Sequence, residues 1–187
     1  FLGTFATITT FLVFYLMTVF TLSWGTSVLQ YPRENFLIAQ MISMIFFGLG
    51  IPLSAVIADR KGRNNMLIFS IAGIFVFGLF FSSLFSTGNF VITVVFQCIG
   101  LFLMGLNYGP IGTALAEIFP AEVRYTGASL CFTLAGILGA SLTPYLATTL
   151  ANNYGLSYVG YYLSFGAAIS LMALIAARSL MKNDQQK

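Results

Sequence analysis

Histidine is absent from this 187-residue chain, and charge is scarce: eight Lys and Arg with five Asp and Glu make up 7% of it. A soluble domain carries roughly a quarter charged residues, so a water-exposed surface is excluded and the 58% of hydrophobic residues must face lipid. Without a histidine base, an acid pair or a phosphate-binding loop pattern, the chain lacks the apparatus of an intramembrane enzyme. It is expected not to be an enzyme and to need neither metal nor cofactor. Its two cysteines, Cys98 and Cys131, have no metal-ligand spacing and read as small packing residues.

What remains is apolar sequence in long runs. Charge-free stretches extend over Phe1–Pro32, Asn35–Ala58, Asn64–Ala116 and Tyr125–Ala177, whereas a spanning helix needs about 20 residues. The first two fit one helix each. The last two fit a pair each, interrupted by the turn formers Ser86-Thr87-Gly88-Asn89 and Asn152-Asn153-Tyr154-Gly155. Six transmembrane helices are therefore expected, near Gly3–Gly25, Phe36–Ala58, Met66–Ser86, Phe90–Glu117, Tyr125–Leu150 and Leu156–Leu180. An open sheet leaves its edge groups unsatisfied in lipid, so the fold class is an all-α membrane protein. The apolar start at Phe1, without an initiator Met, reads as a piece of something longer.

Six helices place Arg60, Lys61, Arg63, Arg124, Arg178, Lys182 and Lys187 on one side and only Arg33 on the other. The positive-inside rule makes the first side cytoplasmic, with both ends of the segment there. This topological sorting also explains the net charge of +3 without a nucleic-acid partner. Tyr154, Tyr158, Tyr161 and Tyr162, with Trp24 and Tyr31, collect at the opposite end, where amphipathic rings favour the membrane interface.

One turn gathers charge beyond what anchoring requires. Ala58-Asp59-Arg60-Lys61-Gly62-Arg63-Asn64 holds four charges in seven positions; Gly62 permits a sharp reversal, and Asp59 can accept hydrogen bonds from a neighbouring helix start. The other turn on that side, Glu117-Ile118-Phe119-Pro120-Ala121-Glu122-Val123-Arg124, supplies partners. Arg60 or Arg63 is expected to pair with Glu117, and Arg124 with Asp59.

Asp59-Arg60-Lys61-Gly62-Arg63 resembles the Asp-Arg-x-Gly-Arg turn of the major facilitator superfamily of transporters, with Asn64 in place of a further cation and Ala55 where glycine is common. The segment Ala116-Glu117-Ile118-Phe119-Pro120-Ala121-Glu122-Val123-Arg124-Tyr125-Thr126-Gly127-Ala128-Ser129 is similar to the metabolite:proton symporter branch. The tail Arg178-Ser179-Leu180-Met181-Lys182 departs from the Pro-Glu-Thr-Lys-like motif of sugar porters, which points to organic acids or compatible solutes. The resemblance implies that residues 1–187 are helices seven to twelve of a twelve-helix fold built from inverted three-helix repeats, with an N-terminal six-helix half as partner. It further implies a secondary transporter working by alternating access and proton coupling. Asp59, Arg60, Gly62, Arg63, Glu117 and Arg124 would form its cytoplasmic gate, and the seventh, eighth, tenth and eleventh helices would surround its cavity. The alternative is a six-helix channel or scaffold subunit, which would lack the inverted repeat.

Polar groups are costly in lipid and should face the bundle interior or an aqueous path. In the first helix Thr4, Thr7, Tyr15 and Thr18 fall within an arc of about 80°, and in the fifth Thr126, Ser129, Thr133, Gly136, Ala140 and Pro144 do likewise. The third has only serines. Helices one, four and five are thus expected around the path, with three outside. Candidate substrate contacts are Tyr15, Thr18, Gln40, Gln97, Asn107 and Tyr108. Asn107 and Tyr108 stand in Gly105-Leu106-Asn107-Tyr108-Gly109-Pro110-Ile111-Gly112, where Gly109 and Pro110 mark either a gating hinge or a packing notch. No Asp, Glu, Lys or Arg lies in the core of any expected span, so a proton-coupling group is expected in the other half.

Overall fold

The computed structural model describes residues 1–184, with side chains through Ser179; Lys187 and the Lys182 side chain lie outside the described residues. Six helical segments run antiparallel in sequence: α1 (Leu2–Ser27), α2 (Arg33–Lys61), α3 (Arg63–Leu79, continued by Phe81–Phe85), α4 (Phe90–Glu117), α5 (Arg124–Tyr154) and α6 (Leu156–Asp184). No strand occurs among the described residues. All but α3 are long and apolar enough to cross a membrane as single helices.

The ends follow local chemistry. Pro32 precedes the first residue of α2, Glu34 lies in its first turn, and Arg60 and Lys61 occupy its last, the charge order that a helix dipole favours. At its end Gly62 turns to φ +90° while its N–H closes on the Ala58 carbonyl at 2.8 Å. A single residue therefore reverses the chain into α3, a conformation costly for any residue with a Cβ. Asn89 caps α4 by accepting from the Val91 N–H at 2.9 Å.

Three departures from the expected helices are local. The third is not one helix over Met66–Ser86: it begins at Arg63 and breaks at Phe80, where the Phe80 N–H bonds the Phe77 carbonyl in a tight turn. Helices α1 and α5 each contain a wider π turn, at Leu16–Phe20 and Ile137–Ser141. Thr133 and Ser129 of the α5 stripe are exposed, whereas Gly136 further along packs against the Phe11 ring.

The neighbour relations reveal an internal symmetry. Helix α1 packs on α5 and α6, and α4 packs correspondingly on α2 and α3; α3 packs on α6, while α2 and α5 are not packing neighbours. Exchanging the first three helices for the last three leaves this pattern unchanged. The single-glycine reversal at Gly62 has its counterpart at Gly155, φ +94°, between α5 and α6. A repeat of three helices with inverted topology accounts for both, and a channel subunit requires neither.

Buried rings fill one end of the bundle: Phe96 stacks on Phe77 at 5.0 Å and meets Phe81 edge-on at 5.0 Å, with Phe85 and Phe20 adjoining. In lipid such packing and interhelical hydrogen bonds, more than exclusion from water, hold helices together. Thr9 donates to the Ser170 hydroxyl at 2.7 Å and Ser170 to the Phe5 carbonyl at 2.7 Å, joining α1 to α6. Ser164 joins α6 to α3 through the Phe75 carbonyl at 2.9 Å.

Candidate functional site

The first polar constellation lies at the charged end. The reversal at Gly62 aims Arg63, the first residue of α3, at Glu117, the last of α4, and their side chains form an ion pair. It is the only ion pair among the described residues, and it joins the first three-helix repeat to the second. Both side chains are half-open to solvent, 38% and 50% exposed, so the pair contributes about 0–1 kcal/mol. Around it Asp59, Asn64, Asn65 and Arg178 help line a pocket of about 400 Å³.

The expected pairing of Arg124 with Asp59 is not formed. Arg124 instead directs its Nε at the Phe119 carbonyl, 3.5 Å away, because it opens α5, and α5 does not pack on α2. Asp59 has no hydrogen bond to a helix start and no ion pair among the described residues. Arg60 is exposed.

The second constellation lies near the middle of the spans. Thr10, Phe11, Phe14 and Tyr15 of α1, Phe47 of α2, Met104 and Tyr108 of α4 and Phe132 of α5 enclose a cavity of about 310 Å³. No residue of α3 or α6 lines it. Tyr108, 41% exposed, meets Phe47 edge-on at 5.8 Å, and Phe11 meets Phe132 at 5.0 Å. The wall is aromatic and uncharged, with three hydroxyls. Behind it Asn107 is fully buried: its Oδ1 accepts from Thr10 Oγ1 at 3.0 Å, and its Nδ2 has no partner among the described residues.

Residues 1–144, which hold α1 to α4 and most of α5, match a family model described as the Major Facilitator Superfamily. The chain belongs to the major facilitator superfamily. It is 42% identical over 179 residues to the inner membrane metabolite transport protein YhjE of Escherichia coli (strain K12), covering 93% of this chain and 41% of that protein. It is 30% identical to a citrate-proton symporter of Klebsiella pneumoniae, over 86% of this chain and 36% of that protein. It is equally identical to a shikimate transporter of Escherichia coli (strain K12), over 94% and 40%. The chain thus spans about two fifths of the length of these relatives. No solved structure matches it.

Within this superfamily bundle the six sequence-derived contact candidates separate into two groups. Tyr15 and Tyr108 line the central cavity, and Asn107 supports its wall through Thr10. The other three do not reach it. Gln97 is fully buried and donates to Thr21 at 2.9 Å, Gln40 donates to the Thr18 carbonyl at 2.8 Å, and Thr18 donates to the Phe14 carbonyl at 2.6 Å. Each of these bonds ties α1 to a neighbour or to itself.

Gly109 meets α2 at a backbone crossing, where a methyl group would come within 2.7 Å of the Ile51 carbonyl. This close approach is what a packing notch requires, and α4 runs unbroken through Pro110. Sequence reasoning missed Thr10, Phe11, Phe14, Phe47 and Phe132, since apolar rings along a spanning helix look alike whether they face lipid, core or cavity. It also missed Asn65, whose amide accepts from Arg178 at 3.1 Å and donates to the Lys61 carbonyl at 2.9 Å.

Proposed function

We propose that the full-length protein is a secondary active transporter that moves a small organic metabolite, an organic acid or a compatible solute, across the cytoplasmic membrane in symport with protons. The central cavity carries this reading. It is built from α1, α2, α4 and α5 alone, so it can form one wall of a binding site completed by a partner six-helix half of the same chain. Tyr15 and Tyr108 are the substrate contacts on this wall and Asn107 acts behind it by positioning Thr10, while Thr18, Gln40 and Gln97 hold the helices that carry it. The relatives support the substrate class, since those named for citrate and shikimate handle small carboxylates. Because residues 1–179 bring no Asp, Glu, Lys or Arg to the cavity, the proton-coupling group belongs to the other half. Seven of the eight Lys and Arg put both ends of the segment in the cytoplasm.

Uptake of labelled citrate, shikimate, aromatic acids and betaines by cells carrying the full-length protein tests this. Uptake of at least one, abolished by a proton ionophore, is expected; uptake of none, or uptake indifferent to the ionophore, overturns the symport.

Asp59, Arg60, Gly62, Arg63, Glu117 and Arg124 form the cytoplasmic gate in this reading. An exposed pair worth about 0–1 kcal/mol suits a gate that substrate binding must be able to bias. Arg63→Ala and Glu117→Ala are each expected to raise, by up to about five-fold, the labelling of Ala121→Cys by an impermeant maleimide in inside-out vesicles, in a background with Cys98 and Cys131 replaced by serine. Acting through one pair, the double variant should label no faster than either single one. Unchanged labelling in both, or additive effects, would remove the pair from the gate.

A further inference from the structure

Beside the charged pocket, on the far side of Asn65, a groove of about 290 Å³ runs between α2 and α3, lined by Ile57, Lys61, Asn65, Met66 and Phe69. Its chemistry is layered. Lys61 is the last residue of α2 and Asn65 lies in the first turn of α3, so the two polar residues stand at one level. Ile57 lies four residues before Lys61 and Phe69 four after Asn65, which sets both about one helical turn, roughly 5.4 Å, deeper along antiparallel helices. Phe69 is 68% exposed and Ile57 partly so.

Charge at the rim is of one sign. The Lys61 side chain has no ion pair among the described residues, whereas neighbouring Arg63 is already engaged by Glu117. Asp59 and Glu117 line the adjoining pocket and not this groove. Asn65 separates the two, with its amide committed to Arg178 and to the Lys61 backbone. A cation in the last turn of a helix is favoured by the dipole alone, but Arg60 serves that purpose equally and lines neither this groove nor the adjoining pocket.

We propose that this groove binds one anionic phospholipid, its phosphate on the Lys61 ammonium and an acyl chain along Ile57, Met66 and Phe69. A soluble anion would gain nothing from the exposed Phe69, and a peptide would have no reason to follow the level change from polar rim to apolar floor. A lipid has that layering, and the rim lies at the end where the basic residues collect. A further groove, between α2 and α4, shows the contrast: Phe46, Val95, Cys98, Ile99, Phe102 and Leu103 line it without any charged or hydrogen-bonding oxygen or nitrogen side chain, and it offers no headgroup site. A basic residue at a membrane surface contributes to anionic-lipid binding about as much as a five-fold change in affinity.

The test uses the full-length purified protein with equal amounts of dioleoyl phosphatidylglycerol and dioleoyl phosphatidylcholine, lipid retention being read by native mass spectrometry. Wild type should retain the glycerol lipid about five-fold over the choline lipid. Lys61→Ala should bring the ratio to parity, Lys61→Arg should keep it, and Arg60→Ala should leave most of it. Phe69→Ala should lower retention of both lipids while preserving their ratio, and glycerol 3-phosphate should displace neither. Parity in wild type, an unaltered ratio in Lys61→Ala, or an equal loss in Arg60→Ala, which would mean diffuse surface attraction, overturns the proposal. So does displacement by glycerol 3-phosphate, the mark of a soluble anion site. Lys61 is exposed, so its variants should elute as wild type on size exclusion, and the wild-type ratio decides the matter by itself if one does not.

Discussion

Replacing Gly105 with alanine is expected to strip most of the folded full-length protein from the membrane. An added methyl group at this position would lie 3.1 Å from the Gly50 Cα and closer still to the Phe47 carbonyl. Both obstacles are backbone, so no rotamer change relieves the clash and α2 must move away from α4. That crossing is the most extensive helix contact in the bundle, and Gly50 faces it from the other side, its own Cβ position 2.9 Å from the Phe102 carbonyl. Overpacking of this kind costs about 1–3 kcal/mol, and the rigid partners put this site at the upper end, roughly a hundred-fold in the folding equilibrium. Gly48, on α2 two residues before Gly50 and with nothing within 4 Å of its Cβ position, is the control. Fluorescence-detected size exclusion of the two variants should show Gly48→Ala near wild type and Gly105→Ala largely lost. Equal abundance and equal melting temperature would mean that the crossing yields more easily than its geometry indicates.

The same crossing explains what was legible in the sequence. Helix number, ends and order follow from charge-free runs and turn formers, because the cost of exposing backbone or charge to lipid is local and leaves its mark residue by residue. Gly62 could be placed at a reversal for the same reason. The break at Phe80 and the π turns at Leu16–Phe20 and Ile137–Ser141 left no such mark, since apolar sequence satisfies its backbone equally well in either helical register. Gln97 and Asn107 illustrate the limit most sharply. Both are amides on α4, and both had to face away from lipid, yet one bonds Thr21 and the other Thr10 beside the cavity. Which side of the wall a buried amide serves is decided by neighbouring helices, not by its own neighbours in sequence.

At the charged end the reverse holds. Of the three pairings expected from opposite charges, Arg63 with Glu117 forms and Arg60 with Glu117 does not, and Arg124 with Asp59 fails because α2 and α5 stand apart. That separation is itself a consequence of the inverted repeat, in which the pair that packs is the second helix of one repeat with the first of the other. Pairing rules based on charge alone have no access to it.

Asn107 is where structure and transport part company most cleanly, and Asn107→Leu should show it. The side chain is fully buried with Oδ1 held by Thr10 and Nδ2 without a partner among the described residues. Leucine removes that unsatisfied donor, worth about 1–3 kcal/mol, but takes from the buried Thr10 hydroxyl its acceptor, a cost of similar size, so the two offset, and replacing both partners together by apolar groups is close to neutral. If Asn107 only packs, leucine should leave the melting temperature near that of wild type, and uptake should follow abundance. If its amide, directly or through Thr10, orients groups toward the cavity, uptake per folded molecule should fall about ten-fold or more, the loss of one hydrogen bond to substrate, with melting temperature preserved. We expect the second outcome. Thr10→Val, which removes the link between Asn107 and the cavity wall, should reproduce the loss, and combining it with Asn107→Leu should add little, because the two act through one bond. Undiminished uptake per folded molecule in Asn107→Leu would remove this residue from the support of the binding wall and leave Thr10, Tyr15 and Tyr108 as its polar groups.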